Sequence, residues 1–129
     1  MGGSGADGGY AWGGGISIHL GSVLTVSNSR VDHNRAIGGD GGLGGNGEDG
    51  QGGGIFVDAQ SSLTLMATTI DRNLAIGGAA GLGGIDGEGV GGGIYVTPGG
   101  VACADALTAI FANHATTSND DVFGILNNC

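Results

Sequence analysis

Apolar and polar residues alternate in short runs along this chain. Ile55-Phe56-Val57-Asp58 and Leu63-Thr64-Leu65 carry the period of two that sends successive side chains to opposite faces of a strand. The polar stretch Ala59-Gln60-Ser61-Ser62 turns the chain between them, and Ile70 stands alone before Asp71-Arg72-Asn73. Upstream, Ile16, Ile18, Leu24, Val26, Val31 and Asn34 repeat the arrangement. No stretch joins a helical period to caps at both ends. The pattern predicts three short strands per unit, separated by small polar bends.

The units recur at a fixed interval. Gly13-Gly14-Gly15-Ile16, Gly52-Gly53-Gly54-Ile55 and Gly91-Gly92-Gly93-Ile94 begin 39 residues apart. A fixed period of this length belongs to units that cannot bury an apolar face alone and must stack on a neighbour. The expected fold is therefore all-β: a right-handed parallel β-helix, or β-solenoid, of about three coils, with strands of successive coils ~4.8 Å apart. A sandwich gives no reason for the same side chain to return every 39 residues.

The division expected is one domain over residues 1–129: a partial loop at 1–12, then repeats at 13–51, 52–90 and 91–129, the last a C-terminal cap. In the partial loop, Gly2, Gly3, Gly5 and Gly8 fall in register with Gly41, Gly42, Gly44 and Gly47. Because the chain opens in mid-loop, it reads as a C-terminal piece of a longer protein. The third unit drifts, with Asn113 lying 40 residues after Asn73, which places an insertion between Thr97 and Ile110. Its glycine loop is replaced by the segment 115–124, and Val122, Phe123, Ile125 and Leu126 are expected to cover the open end of the stack.

Between Gly38 and Gly53 a glycine falls on every third residue, and the following loop keeps the phase at Gly78, Gly81, Gly84, Gly87 and Gly93. A flexible linker has no need of such a phase. Three residues per turn suit extended helices of the polyproline II type. The loops are accordingly read as polyglycine II helices packed on one side of the coils; the alternative is a set of unordered loops.

Glycine supplies 33 of 129 residues, with a single proline at Pro98, which excludes collagen. The net charge is −9, with three arginines and no lysine. Such a chain offers no basic patch to phosphates, so nucleic acid is not an expected partner, nor is an anionic membrane surface. No run approaches the ~18 apolar residues of a membrane span. Cys103 and Cys129 both lie in the last unit, either as one disulfide or as two free thiols.

Candidate chemistry is sparse. Asn34, Asn73 and Asn113 return at one bend and are read as a structural ladder, each in a left-handed conformation and bonded to neighbouring turns. Phe56 and Tyr95 occupy the outward position of equivalent strands; with Trp12, and Tyr10 nearby, they form a candidate strip for sugar rings. Asp40, Glu48 and Asp49 face Asp86 and Glu88 across stacked loops, and Gly44-Gly45-Asn46-Gly47-Glu48-Asp49 resembles the opening of a calcium nonapeptide repeat. No cofactor is expected, calcium being the one to which any residues point. Asp32 and Asp71, with Arg35 and Arg72 near them, read as a surface ion-pair row. His19, His33 and His114 sit at three different places in the repeat, with no carboxylate at a known catalytic spacing, and read as surface residues. There is no nucleophile elbow, phosphate loop or His/Cys metal set.

The Gly-Gly-Gly-Ile starts, with Val31-x-x-Asn34, Ile70-x-x-Asn73 and Ile110-x-x-Asn113, resemble the GGAI and FxxN motifs of bacterial surface β-helix repeats. These are polymorphic outer-membrane and autotransporter-type passenger domains of the pectin-lyase-like fold. Here glycine replaces the alanine, and Val or Ile the phenylalanine. The resemblance spans residues 13 to about 124 and implies a secreted or cell-surface setting. Members with lyase or hydrolase activity use Asp, Arg or Lys sets on one strand face, and this chain shows no such set. The expectation is a non-enzymatic extracellular module, structural or adhesive. Its partners would be copies of itself stacked end to end or laterally, glycans, or a host surface. The rivals are a self-assembling filament subunit and a carbohydrate-active module.

Overall fold

A computed structural model describes residues 3–129 as an all-β chain without a helix among the described residues. Gly2, read above as equivalent to Gly41, lies outside them. Taking each layer from the short strand that precedes its Gly-Gly-Gly start, five strands form the first: β1 (Ala11–Trp12), β2 (Ile16–Ile18), β3 (Val23–Ser27), β4 (Arg30–Asp32) and β5 (Arg35–Ile37). The second holds β6 (Gly50–Gln51), β7 (Ile55–Val57), β8 (Ser62–Met66), β9 (Thr69–Asp71) and β10 (Leu74–Ile76). The third holds β11 (Gly89–Val90), β12 (Ile94–Val96), β13 (Val101–Ala104), β14 (Ala109–Phe111) and β15 (His114–Ala115), and two strands follow, β16 (Val122–Phe123) and β17 (Leu126–Asn128).

Every pairing is parallel and joins equivalent strands of adjacent repeats, giving five sheets: β1-β6-β11, β2-β7-β12-β16, β3-β8-β13-β17, β4-β9-β14 and β5-β10-β15. Like residues therefore meet: Ile16, Ile55 and Ile94 align, as do Thr25 and Thr64. Five strands per repeat replace the three expected. The two extra ones, at the Gly50–Gln51 and Leu74–Ile76 positions, are too short or too glycine-rich to show an alternation.

The inward residues of the strands make one core, in which Ile18, Val31, Ile55, Val57, Leu63, Leu65, Ile70, Ile94, Val96 and Ala102 are buried. Each large aliphatic side chain removed from water contributes about 1.5–3 kcal/mol. The β-branched residues suit these pleated surfaces, and no single repeat could cover both sides of its own layer. Val122 and Leu126 pack against the last of the core, whereas Ile125, expected to join them, is exposed. The register places the extra residue of the third unit in the turn 105–108, since Ala104 still pairs with Leu65 while Ala109 pairs with Thr69.

The bends between strands use left-handed residues. His33, Arg72 and Ala112 each have φ 55°, one position before Asn34, Asn73 and Asn113. The asparagines themselves are not left-handed, contrary to expectation. The preceding residue makes the bend, and the asparagine side chain turns to the adjacent layer.

Candidate functional site

The asparagine column is continuous. Oδ1 of Asn73 accepts from both the backbone N–H and Nδ2 of Asn34, at 3.0 Å each. Oδ1 of Asn113 accepts the same two bonds from Asn73, at 3.0 and 2.9 Å. Asn73 Nδ2 also reaches the carbonyl of Val31 at 2.9 Å. At the end of the column Asp121 takes the place of a fourth asparagine and accepts both bonds from Asn113. A last member has only to accept, which a carboxylate does with all its lone pairs.

The glycine loops are hydrogen-bonded, and the bonds keep the three-residue phase. The N–H groups of Gly38, Gly41, Gly47 and Gly50 reach the carbonyls of Ile76, Ala79, Ile85 and Glu88 in the next loop at 2.8–2.9 Å. Gly39 and Gly42 bond in the other direction, to Gly9 and Ala6. The packed glycines leave no room for a side chain at their own positions: a Cβ on Gly38 would overlap the carbonyl oxygen of Glu48, and one on Gly81 that of Gly42. Where the third loop is missing, side chains take over as acceptors. Gly77 donates to Oγ1 of Thr116 at 3.3 Å, Ala80 to Oδ1 of Asp86 at 2.7 Å, and Gly89 to Oγ1 of Thr117 at 3.1 Å.

The loop acids serve the same stacking. Asp40 accepts the N–H of Ala79 and Asp49 that of Glu88, both at 2.8 Å and one period away; Asp7 does so for Asn46. Among the described residues no three His, Cys, Asp or Glu side chains gather as a metal site, so the structure does not bring Asp40, Glu48, Asp49, Asp86 and Glu88 together. Glu48 instead lies beside Tyr10, where its carboxylate holds the phenol above its usual pKa.

The aromatic residues form one column. Tyr10 stacks on Trp12, Trp12 on Phe56, Phe56 on Tyr95 and Tyr95 on Phe123, with centroids 5.6, 5.6, 5.5 and 4.4 Å apart. Ser17, not an aromatic residue, is in register with Phe56, and Trp12 supplies the ring beneath it. The interplanar angles of 16–25° turn the ring faces toward one another. Phe56 is 5% exposed, whereas Trp12 is 47% exposed. Sugars pack on open ring faces, and the inner rings of this column have none. Phe123 was missed from the strip because it follows Tyr95 by only 28 residues, the last repeat having lost its glycine loop.

Beside the column lies a group not anticipated from the sequence. Ser17 Oγ is 2.5 Å from Nε2 of His19, and Nδ1 of His19 is 3.2 Å from Oδ2 of Asp58. Ser17 and His19 point outward from one strand and its end, flanking inward Ile18, and Asp58 sits one period above His19. The turn after His19 is closed by Ser22 N–H to its carbonyl at 3.2 Å, with Leu20 and Gly21 at φ 60° and 73°. The hydrogen bond from His19, then that from the Ala59 N–H, holds the Asp58 carboxyl below its usual pKa. The signal was present in the sequence as a separation of 39 between His19 and Asp58.

Asp71 corrects another expectation. Its carboxylate is 0% exposed, not a surface group; Arg72 lies near it as expected, with Nε 3.6 Å from Oδ2, but its main partner is Arg30, and Arg35 takes no part. Arg30 grips it with Nε at 2.8 Å and Nη2 at 2.5 Å, which holds the Asp71 pKa down. Cys103 and Cys129 form a disulfide, with Cα atoms 5.1 Å apart, tying the C-terminus to β13.

No protein-family model, curated protein or solved structure matches the chain.

Proposed function

We propose that this chain is a structural or adhesive module of a secreted or cell-surface protein. Its five stacked sheets form a right-handed parallel β-helix, and its glycine loops a polyglycine II layer along one side. The observation that carries the reading is the use of polar side chains one period apart to bind neighbouring repeats: Asn34 to Asn73, Asp40 to Ala79, Asp49 to Glu88. Side chains spent in this way make a rigid body. The disulfide supports an oxidising compartment, and the net charge of −9 suits an extended surface that must stay soluble. The likeness of the Gly-Gly-Gly-Ile and Asn positions to surface β-helix repeats points the same way.

End-to-end filaments gain less support, because Thr116, Thr117, Asp86 and Asp121 already accept the donors that a further copy would use. Antibodies against the chain test the reading. They should label intact cells of the source organism or detect the chain in the medium, with Cys103 and Cys129 oxidised. Detection only inside permeabilised cells, with both thiols free, would overturn it.

A further inference from the structure

We infer that Ser17, His19 and Asp58 form an acyl-transfer site that hydrolyses uncharged carboxylic esters at the outer face of β2. This goes beyond the stacking role and does not depend on it. The atoms are matched as the chemistry requires. An ionised Asp58 can only accept, so the bond to Oδ2 fixes the proton on Nδ1 of His19. Nε2 is then left as the acceptor facing the Ser17 hydroxyl. That assignment is what a nucleophile, its general base and the group orienting the base need, whatever their order in the chain.

The other two histidines provide an internal contrast. His33 meets Asp32 at 2.8 Å and His114 meets Asp120 at 3.1 Å, both through Nδ1. Among the described residues, only His19 also has a hydroxyl on its second nitrogen. A carboxylate beside a histidine is thus common on this acidic chain, and the added serine singles out one of the three.

The surroundings suit an ester. Ser17 is an exposed residue on the outer face of its strand. The N–H of Ile16 bonds Gly54 and the carbonyl of Ile18 bonds Asp58, so these residues face β7. The N–H of Ser17 between them points away from β7 and has no partner among the described residues, so it can donate to an oxyanion. Trp12, which is 47% exposed, stands 5.9 Å from the His19 ring and gives an apolar flank for the acyl or alcohol part. The charge of −9 disfavours anionic substrates.

In the step inferred, Ser17 Oγ attacks the ester carbonyl and its proton passes to His19 Nε2. The bond from carbonyl carbon to alkoxy oxygen breaks, and Nε2 returns the proton to the departing alcohol. Water then attacks the acyl-Ser17, again losing a proton to Nε2. The carboxylic acid leaves, and the proton goes back to Ser17 Oγ. Ser17 and His19 are the catalytic residues; Asp58 is a positioning residue.

Labelling with a fluorophosphonate, followed by peptide mass mapping, tests the inference on the full chain, alongside hydrolysis of p-nitrophenyl acetate. The expected result is a phosphonyl adduct on Ser17 and hydrolysis that falls at least tenfold in Ser17→Ala and in His19→Gln, but not in His33→Gln or His114→Gln. Asp58→Asn should lower hydrolysis through kcat rather than KM, and Asp58→Glu should recover part of it. Ser17→Ala removes an exposed hydroxyl, so its circular dichroism and thermal midpoint should match wild type and exclude misfolding as the cause. No adduct on Ser17, or equal hydrolysis by wild type and a folded Ser17→Ala, would overturn the assignment.

Discussion

Asn113 gives both its backbone N–H and its Nδ2 to a single oxygen, Oδ1 of Asp121, at 3.1 and 2.9 Å. The two residues are eight apart, while the equivalent pairs below span 39 and 40. The chain thus folds back early to end a column of amides with an acceptor.

That relationship predicts an ordered series. Asp121→Ala leaves the backbone N–H of Asn113 unpaired, while Nδ2 keeps the carbonyls of Ile70 and Phe111, and should cost about 1–3 kcal/mol. Asp121→Asn restores an acceptor and should stay within about 0.5 kcal/mol of wild type. Asn73→Ala removes the buried middle of the column and should cost more than either, about 3 kcal/mol or above. Urea unfolding of the three variants checks the order, and an Asn73→Ala chain as stable as wild type would contradict it.

Acid should weaken the fold. Asp58, Asp71, Asp105 and Asp120 all have pKa values held below the ordinary carboxylate range: by His19, by Arg30, by the Ala67 N–H and by the Ala115 N–H respectively. A depressed folded pKa adds stability that is complete above the unfolded value, roughly pH 4, and is lost as pH falls through the folded value. Thermal midpoints should therefore be level from neutral pH down to about 5 and drop below about 4. Asp71→Asn lowers the midpoint at pH 7, and its gap to wild type should narrow in acid, where wild-type Asp71 is also neutral. A gap that widens in acid would show the sign to be wrong.

Two glycine substitutions should differ sharply. In Gly81→Ala the new methyl overlaps the Gly42 carbonyl of the adjacent loop, so the loops must separate, at a cost of about 2 kcal/mol or more. Gly9→Ala meets nothing within 4 Å and should change stability by less than about 0.5 kcal/mol. Thermal midpoints of the two variants, measured side by side, make the comparison.

Reduction of Cys103–Cys129 opens a loop with a sequence separation of 26 residues and should lower stability by roughly 3 kcal/mol. The loss should concentrate at the C-terminal end, seen as faster proteolysis within residues 122–129. Uniform loss along the chain would place the constraint elsewhere.

The parallel stacking was legible because Ile16, Ile55 and Ile94 return at one interval, and a strand pairs with its equivalent only if the interval is kept. The ends were less legible. Phe123 and Asp121 continue their columns after 28 and eight residues, and a reading tied to 39 passes over them. The Arg30–Asp71 pair was hidden because its residues lie 41 apart, off register by two. His19 and Asp58 were on register, yet aligned residues of different type do not look like a repeat. Only the side-chain atoms show that they meet and that Ser17 completes the set.

Amide hydrogen exchange over residues 38–50 and 77–89 tests most directly whether the glycine loops belong to the stacked body. The account predicts slow exchange at Gly38, Gly41, Gly47, Gly78 and Gly81, whose N–H groups are bonded to neighbouring loops, and fast exchange at the Gly44 and Gly83 turns. Exchange at the rate of an unfolded peptide throughout both segments would contradict it.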